Sequence, residues 1–207
     1  MDYTSARLNM VESQVRTNDV TDIGIQLAMR AIPREKFVLP ARSALAYADV
    51  EVEYSPDRWM MRPRDVAKLL HTLRPHAGER ALAICAPYAA AVLARMGLSV
   101  IAIEDASADA HARSGLEGEG VQVSAADLGQ VEGEYDVIVC EGAVSAIPPS
   151  WLAALSPRGR LATVVRGGPA GKAVIYTKAG EAFGAREAFD STPPYLPGFA
   201  PRAVFAF

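Results

Sequence analysis

The residues of this chain best suited to chemistry lie in one turn and one acid. Leu82-Ala-Ile-Cys85-Ala-Pro87-Tyr88-Ala89-Ala90 reads as a short buried strand running into a helix. About twenty residues on, a second apolar run, Val100-Ile-Ala-Ile103, ends in Glu104. In an α/β domain that holds a nucleotide, this spacing marks a glycine-rich first turn and a carboxylate that accepts hydrogen bonds from ribose hydroxyls. The carboxylate is present and the glycines are not. Glycine permits a left-handed turn and close backbone approach to a ligand. Cys85 adds a side chain where room is needed, and Pro87 removes an N–H and fixes φ. The turn is therefore expected to hold a cofactor weakly or not at all.

A second cluster is basic. Arg58, Arg62 and Arg64 precede or open a helix that starts at Pro63, and Trp59, Met60 and Met61 form an apolar knot between them. Two readings stand for the arginines. They form a surface for a small anion or an acidic protein partner, or they pair with acids such as Asp65 and Glu51 on a solvated face, the commoner fate. The apolar knot is core, a plug for the crevice or a partner surface. Glu141 is a crevice carboxylate or a loop acid, and Tyr88 could project toward the crevice. His71, His76 and His111 lack partners at metal-ligand spacing, so no metal is expected. Cys85 and Cys140 end apolar runs and read as buried thiols.

These groups must be positioned by 207 residues, half of them hydrophobic, enough for one domain with a full core. A net charge of −3 argues against a nucleic-acid binder held by phosphate contacts. No apolar run is long enough to span a membrane, and the N-terminus lacks a signal-peptide core, so a cytoplasmic setting is expected. Helices are expected over 5–17, from Ile23 to near Pro33 behind Thr21 and Asp22 caps, and over Pro63–Leu73, with a partly helical Phe37–Ala48. Residues 1–54 then form an N-terminal helical cap and 55–207 the main domain, the two in one compact unit. Val50–Tyr54 alternates as an edge strand. Strands are expected at 81–85, 99–103, 120–124, 135–140, 160–165, 173–178 and 202–207, with helices at 88–96, 106–114 and 148–155. The fold class is α/β: a seven-stranded, doubly wound, Rossmann-like sheet of the methyltransferase type, mostly parallel, with an antiparallel edge.

Several segments together resemble the protein-L-isoaspartate O-methyltransferase family. They are Met10-Val-Glu-Ser-Gln-Val-Arg16, Ala28-Met29-Arg-Ala-Ile-Pro-Arg-Glu-Lys-Phe37-Val38, Ala46-Tyr47-Ala48-Asp49, Ile103-Glu104, Tyr135-Asp136-Val-Ile-Val139, Ile147-Pro148-Pro149 and Leu155-Ser-Pro-Arg-Gly159-Arg160-Leu161. The resemblance implies S-adenosylmethionine as cofactor, with Glu104 on its ribose hydroxyls and Asp127 facing its adenine amino group. It implies a protein carboxylate as methyl acceptor. The family's Ile-Gly-x-Gly-x-Gly turn stands here as Ile84-Cys85-Ala86-Pro87-Tyr88-Ala89, so Cys85 and Pro87 are cofactor-turn positions. Its Gly-x-Gly-x-Thr-Ile-Ser-Gln-Pro loop stands as Ser55-Pro-Asp57-Arg58-Trp59-Met60-Met61-Arg62-Pro63, which puts Trp59, Met61 and Arg62 at the substrate-loop positions. A Trp and a Met cannot orient a carboxylate by hydrogen bonding.

The resemblance thus implies a divergent member, weak or inactive in S-adenosylmethionine-dependent methylation, its fold kept for a partner or ligand. The alternative is an active enzyme with an isoaspartyl or altered substrate. Oligomeric state is not legible.

Overall fold

In the computed structural model of the protein, which describes residues 2–201, seven strands form one sheet in the order β5-β4-β3-β6-β7-β8-β9. The strands are β3 (Arg80–Ile84), β4 (Ser99–Glu104), β5 (Gln122–Ala125), β6 (Tyr135–Val144), β7 (Leu155–Arg166), β8 (Gly171–Ala179) and β9 (Ala182–Asp190). The first five pair in parallel, and β8 and β9 add on antiparallel. Strand order reverses between β3 and β6. The crevice beyond the carboxyl ends of those strands is where such sheets hold ligands.

Period-two alternation sorts β3 between the two faces. Ala81 and Ala83 pack into the larger core, while Leu82 and Ile84 pack into the smaller one around Trp151. The larger core lies beneath α3 (Pro63–Leu73), α4 (Pro87–Arg95) and α5 (Asp109–Gly115), and α6 (Pro149–Ala153) covers the other face. The chain begins with α1 (Tyr3–Met10), which runs on through a π turn, Val11–Val15, and a 3-10 turn, Arg16–Asn18. Then comes α2 (Ile23–Ala31), capped by the Asp22 side chain on the Ile25 N–H at 3.0 Å. Two 3-10 turns, Arg34–Phe37 and Pro40–Leu45, complete this segment. Met10, Val15, Met29 and Phe37 share the larger core with Val66, Leu70 and Ala89.

Two expectations change. The seventh strand of the sheet is β9, a segment without strand patterning in the sequence; the expected 202–207 strand lies outside the described residues. Ala-Phe-Gly-Ala-Arg-Glu lacks β-branched residues, so its pairing comes instead from the two-residue turn Gly180-Glu181, with Gly180 at φ 62°. The alternating stretch near Val50–Tyr54 is not an edge of this sheet. It is the first half of a separate hairpin, β1 (Val52–Ser55) with β2 (Arg58–Met60), turning at Asp57 with φ 58°. The expected 54/55 boundary falls inside β1.

β6 is irregular where it matters. Val139 pairs with Ala162 but Ala143 with Val164, so extra residues bulge out around Glu141. Bulges re-aim side chains next to functional sites. Gly142 makes this one possible: its φ is 134°, and a Cβ there would come within 2.7 Å of the Leu196 side chain. We expect Gly142→Ala to combine backbone strain with overpacking and lower stability by about 3 kcal/mol. Urea denaturation read by circular dichroism checks this.

Candidate active site

The crevice is built from four chain segments. β3 ends at Ile84 and the chain turns through Cys85, which keeps a left-handed conformation, φ 49°, without being glycine. Its N–H donates to the Ile103 carbonyl at 3.0 Å, so the turn is tied to β4. Pro87 then opens α4 at its first position, where a missing N–H is least costly. β4 ends in Glu104, which is 1% exposed.

Glu104 has partners from the hairpin. The Tyr54 hydroxyl donates to its Oε1 at 2.6 Å and lies 3.4 Å from the Cys85 carbonyl oxygen. Arg58, also 1% exposed, sets its Nε 3.7 Å from Glu104 Oε2 and binds Asp105 through Nη2. Tyr54 and Arg58 thus both face the Glu104 carboxylate from the hairpin. Burial pushes the Glu104 carboxyl up to about 7, opposed by the Tyr54 and Cys85 hydrogen bonds and the Arg58 charge. Burial also raises the Cys85 thiol well above its ordinary range.

A second buried carboxylate closes the other side. Glu141, on the β6 bulge and fully buried, accepts from the Met61 N–H at 3.1 Å and from the Ala89 N–H at 3.2 Å. Ala86 precedes α4 without a side chain able to cap it, so Glu141 supplies the cap from another strand. Burial raises Glu141 to about 7, and the Arg34 charge is the largest influence holding it down. Arg34 is itself buried; it donates to the Ala46 and Met61 carbonyls and lies 4.8 Å above the Tyr88 ring. The sequence leaves Glu141 open between a crevice carboxylate and a loop acid, and the structure takes the first; the sequence does not mark Tyr54 or Arg34. The signal for Glu141 was an acid inside Val137-Ile-Val-Cys-Glu-Gly-Ala-Val144.

The remaining expected site residues divide. Met61 is buried and joins the site through its backbone, and Cys85, Pro87 and Glu104 meet at the crevice. Trp59 is half-buried on β2 opposite Glu53. Arg62 bonds Glu51 at 2.8 Å, and Arg64 pairs with Asp49 and Asp65. With Arg58 inside and the other two paired, the three arginines form no shared exposed patch. Asp127 stands exposed after β5, caps the Gly129 N–H, and lines a cleft of about 370 Å³ with Asp105 and Phe199. Tyr88 does not project into the crevice: it packs edge-on to Phe37, 5.7 Å between centroids, on the side of the N-terminal segment.

Both carboxyls sit near 7, above the ordinary 4.5, so the folded protein keeps protons that the unfolded chain releases. Their contribution to stability is complete below about pH 4.5 and is lost as pH rises through 7. We expect urea midpoints to fall from pH 5 to pH 8. The fall should be smaller in Glu104→Gln by an amount on the order of 3 kcal/mol.

Comparison with known proteins bears on this geometry. The sequence model described as protein-L-isoaspartate (D-aspartate) O-methyltransferase matches residues 6–186. The protein-L-isoaspartate O-methyltransferase of Methylorubrum extorquens (strain PA1) is 38% identical over 182 residues, covering 84% of this chain and 79% of that protein. A solved protein-L-isoaspartate O-methyltransferase superposes with TM-score 0.78 at 20% identity, covering 94% of this chain and 67% of that one. A Plasmodium falciparum chain described as such an enzyme, solved with S-adenosyl-L-homocysteine, superposes with TM-score 0.77 at 17% identity, covering 92% and 97%. This chain belongs to the protein-L-isoaspartate O-methyltransferase family.

Proposed function

We propose that this chain is a family member whose S-adenosylmethionine-dependent carboxyl methylation is weak or absent, its fold kept to bind a partner or ligand. The observation that carries this reading is the contact of two hairpin side chains with Glu104. The residues present fit the cofactor poorly: the Tyr54 hydroxyl already bonds Glu104 Oε1, and the Arg58 guanidinium stands 3.7 Å from Oε2. Glu141 takes the Ala89 N–H at the α4 N-terminus. The loop offers Trp59 and Met61 where the family places hydroxyls, so nothing there orients a carboxylate acceptor.

A second reading has its own observation. Arg58 Nε and Glu104 Oε2 lack hydrogen-bond partners although they lie 3.7 Å apart, so the pair is loosely closed. A hairpin that swings away from β4 would free Glu104 beside the Asp127 cleft. That is an active S-adenosylmethionine-dependent enzyme, as the names of its relatives suggest, with an isoaspartyl or altered substrate.

Calorimetric titration with S-adenosylmethionine and S-adenosylhomocysteine separates the two. We expect a Kd weaker than about 1 mM for the native chain. The Tyr54→Ala/Arg58→Ala variant should bind at least about tenfold tighter. Saturable micromolar binding by the native chain favours the second reading. Glycines at Cys85, Pro87 and Ala89 alone should not restore binding, because Tyr54 and Arg58 still stand over Glu104; a gain equal to that of the double variant would place the block in the turn.

A further inference from the structure

At the opposite end of the sheet, where β7 begins and β8 ends, lies a cleft of about 630 Å³ between the last turn of α3 and the face of β9. Its lining includes Arg74, His76, Arg160 and Arg186 and not one acid, in a protein of net charge −3. Arg160 is already committed. It bonds the Leu73 and Arg74 carbonyls, both at 2.8 Å, and pairs with Glu79. Arg74 and Arg186 are exposed and, among the described residues, neither makes an ion pair. This contrasts with the arginines around the crevice, each of which has an acid partner or a buried carbonyl.

Arg74 also occupies the left-handed cap of α3, φ 49°, a place that ordinarily favours glycine. Keeping a side chain there costs roughly 1 kcal/mol, and the arginine that bears this strain lines the cleft. The floor is apolar and open: Leu73 and Ile175 are buried, and a Cβ added to Gly184 would meet nothing within 4 Å. A planar ring can therefore lie along β9 while its anionic group meets the cations at the rim.

The geometry points to a binding site for an organic phosphate, a phosphate monoester carried on a planar ring. Two guanidinium forks suit phosphate oxygens in bidentate fashion. His76 and Thr177 line the same cleft. The phosphate charge of −1.5 to −2 near neutral pH matches the two unpaired arginines. The floor selects a ring over a bare ion. This site is independent of Glu104 and of whether the crevice binds a cofactor.

The test is calorimetry at low salt with phenyl phosphate, inorganic phosphate and phenol as probes. We expect one saturable phenyl phosphate site, with inorganic phosphate at least about tenfold weaker and phenol silent. Arg74→Gly with Arg186→Gln should weaken phenyl phosphate at least about tenfold. That variant should unfold at no lower temperature, since glycine suits the cap. Gly184→Val should bring phenyl phosphate down to the level of inorganic phosphate and leave the latter unchanged. Four results would each overturn the assignment: no phenyl phosphate binding, equal affinity for both phosphates, undiminished binding in the double arginine variant, or weaker binding in Tyr54→Ala/Arg58→Ala, which would move the ligand to the crevice. Tighter binding of a poly-glutamate peptide than of phenyl phosphate would overturn it in favour of an acidic protein partner.

Discussion

Two backbone N–H groups from distant parts of the chain, those of Met61 and Ala89, converge on the buried Glu141 carboxylate. That convergence sets the relative position of the hairpin loop, the start of α4 and the end of β6. An ionised carboxylate in such a place is tolerable only when its oxygens are hydrogen-bonded and a cation is near. The N–H groups supply the first and Arg34 the second. Arg34 in turn bonds carbonyls of Ala46 and Met61, so the N-terminal segment is drawn into the same arrangement. Bulge, glycine and buried arginine are all consequences of placing one acid there.

Glu104 shows the same physics with a different outcome. In a ligand-binding sheet, an acid at a strand's carboxyl end is left for the ligand to satisfy. Here Tyr54 bonds one of its oxygens and Arg58 stands 3.7 Å from the other, while Asp105 holds the Arg58 Nη2. Taking two charges out of water is expensive, so the pair is poor evidence for stability in itself. Its value is in fixing where the hairpin lies. The small two-stranded β1–β2 unit has no other sheet to join.

The sheet was legible because it rests on local signals. Apolar runs, Pro63 and Pro87 at helix starts, and the acid closing β4 all act within a few residues of themselves. Glu104 and Cys85 were found at the crevice for that reason, and the left-handed turn at Cys85 persists without glycine. What was not legible depends on tertiary pairing. β9 has little intrinsic strand preference and takes its form from β8. Tyr54 and Arg58 read as strand end and surface cation, because nothing local says that a hairpin folds over β4. Glu141 stood open between a crevice carboxylate and a loop acid, since the bulge that decides between them cannot be seen from one strand alone. In the basic run 58–64 the pairing of Arg62 with Glu51 and of Arg64 with Asp65 was legible, and the burial of Arg58 was not.

The Tyr54–Glu104–Arg58 arrangement also has an energetic consequence. Removing Arg58 alone leaves a buried carboxylate short of its counter-charge, at a cost of about 3–5 kcal/mol, a large share of a domain's total stability. Removing Glu104 alone leaves Arg58 paired with Asp105 and the Tyr54 hydroxyl with the Cys85 carbonyl, 3.4 Å away. The three residues are therefore energetically coupled: the cost of a substitution at one depends on which side chains stand at the other two, so single substitutions here are not additive.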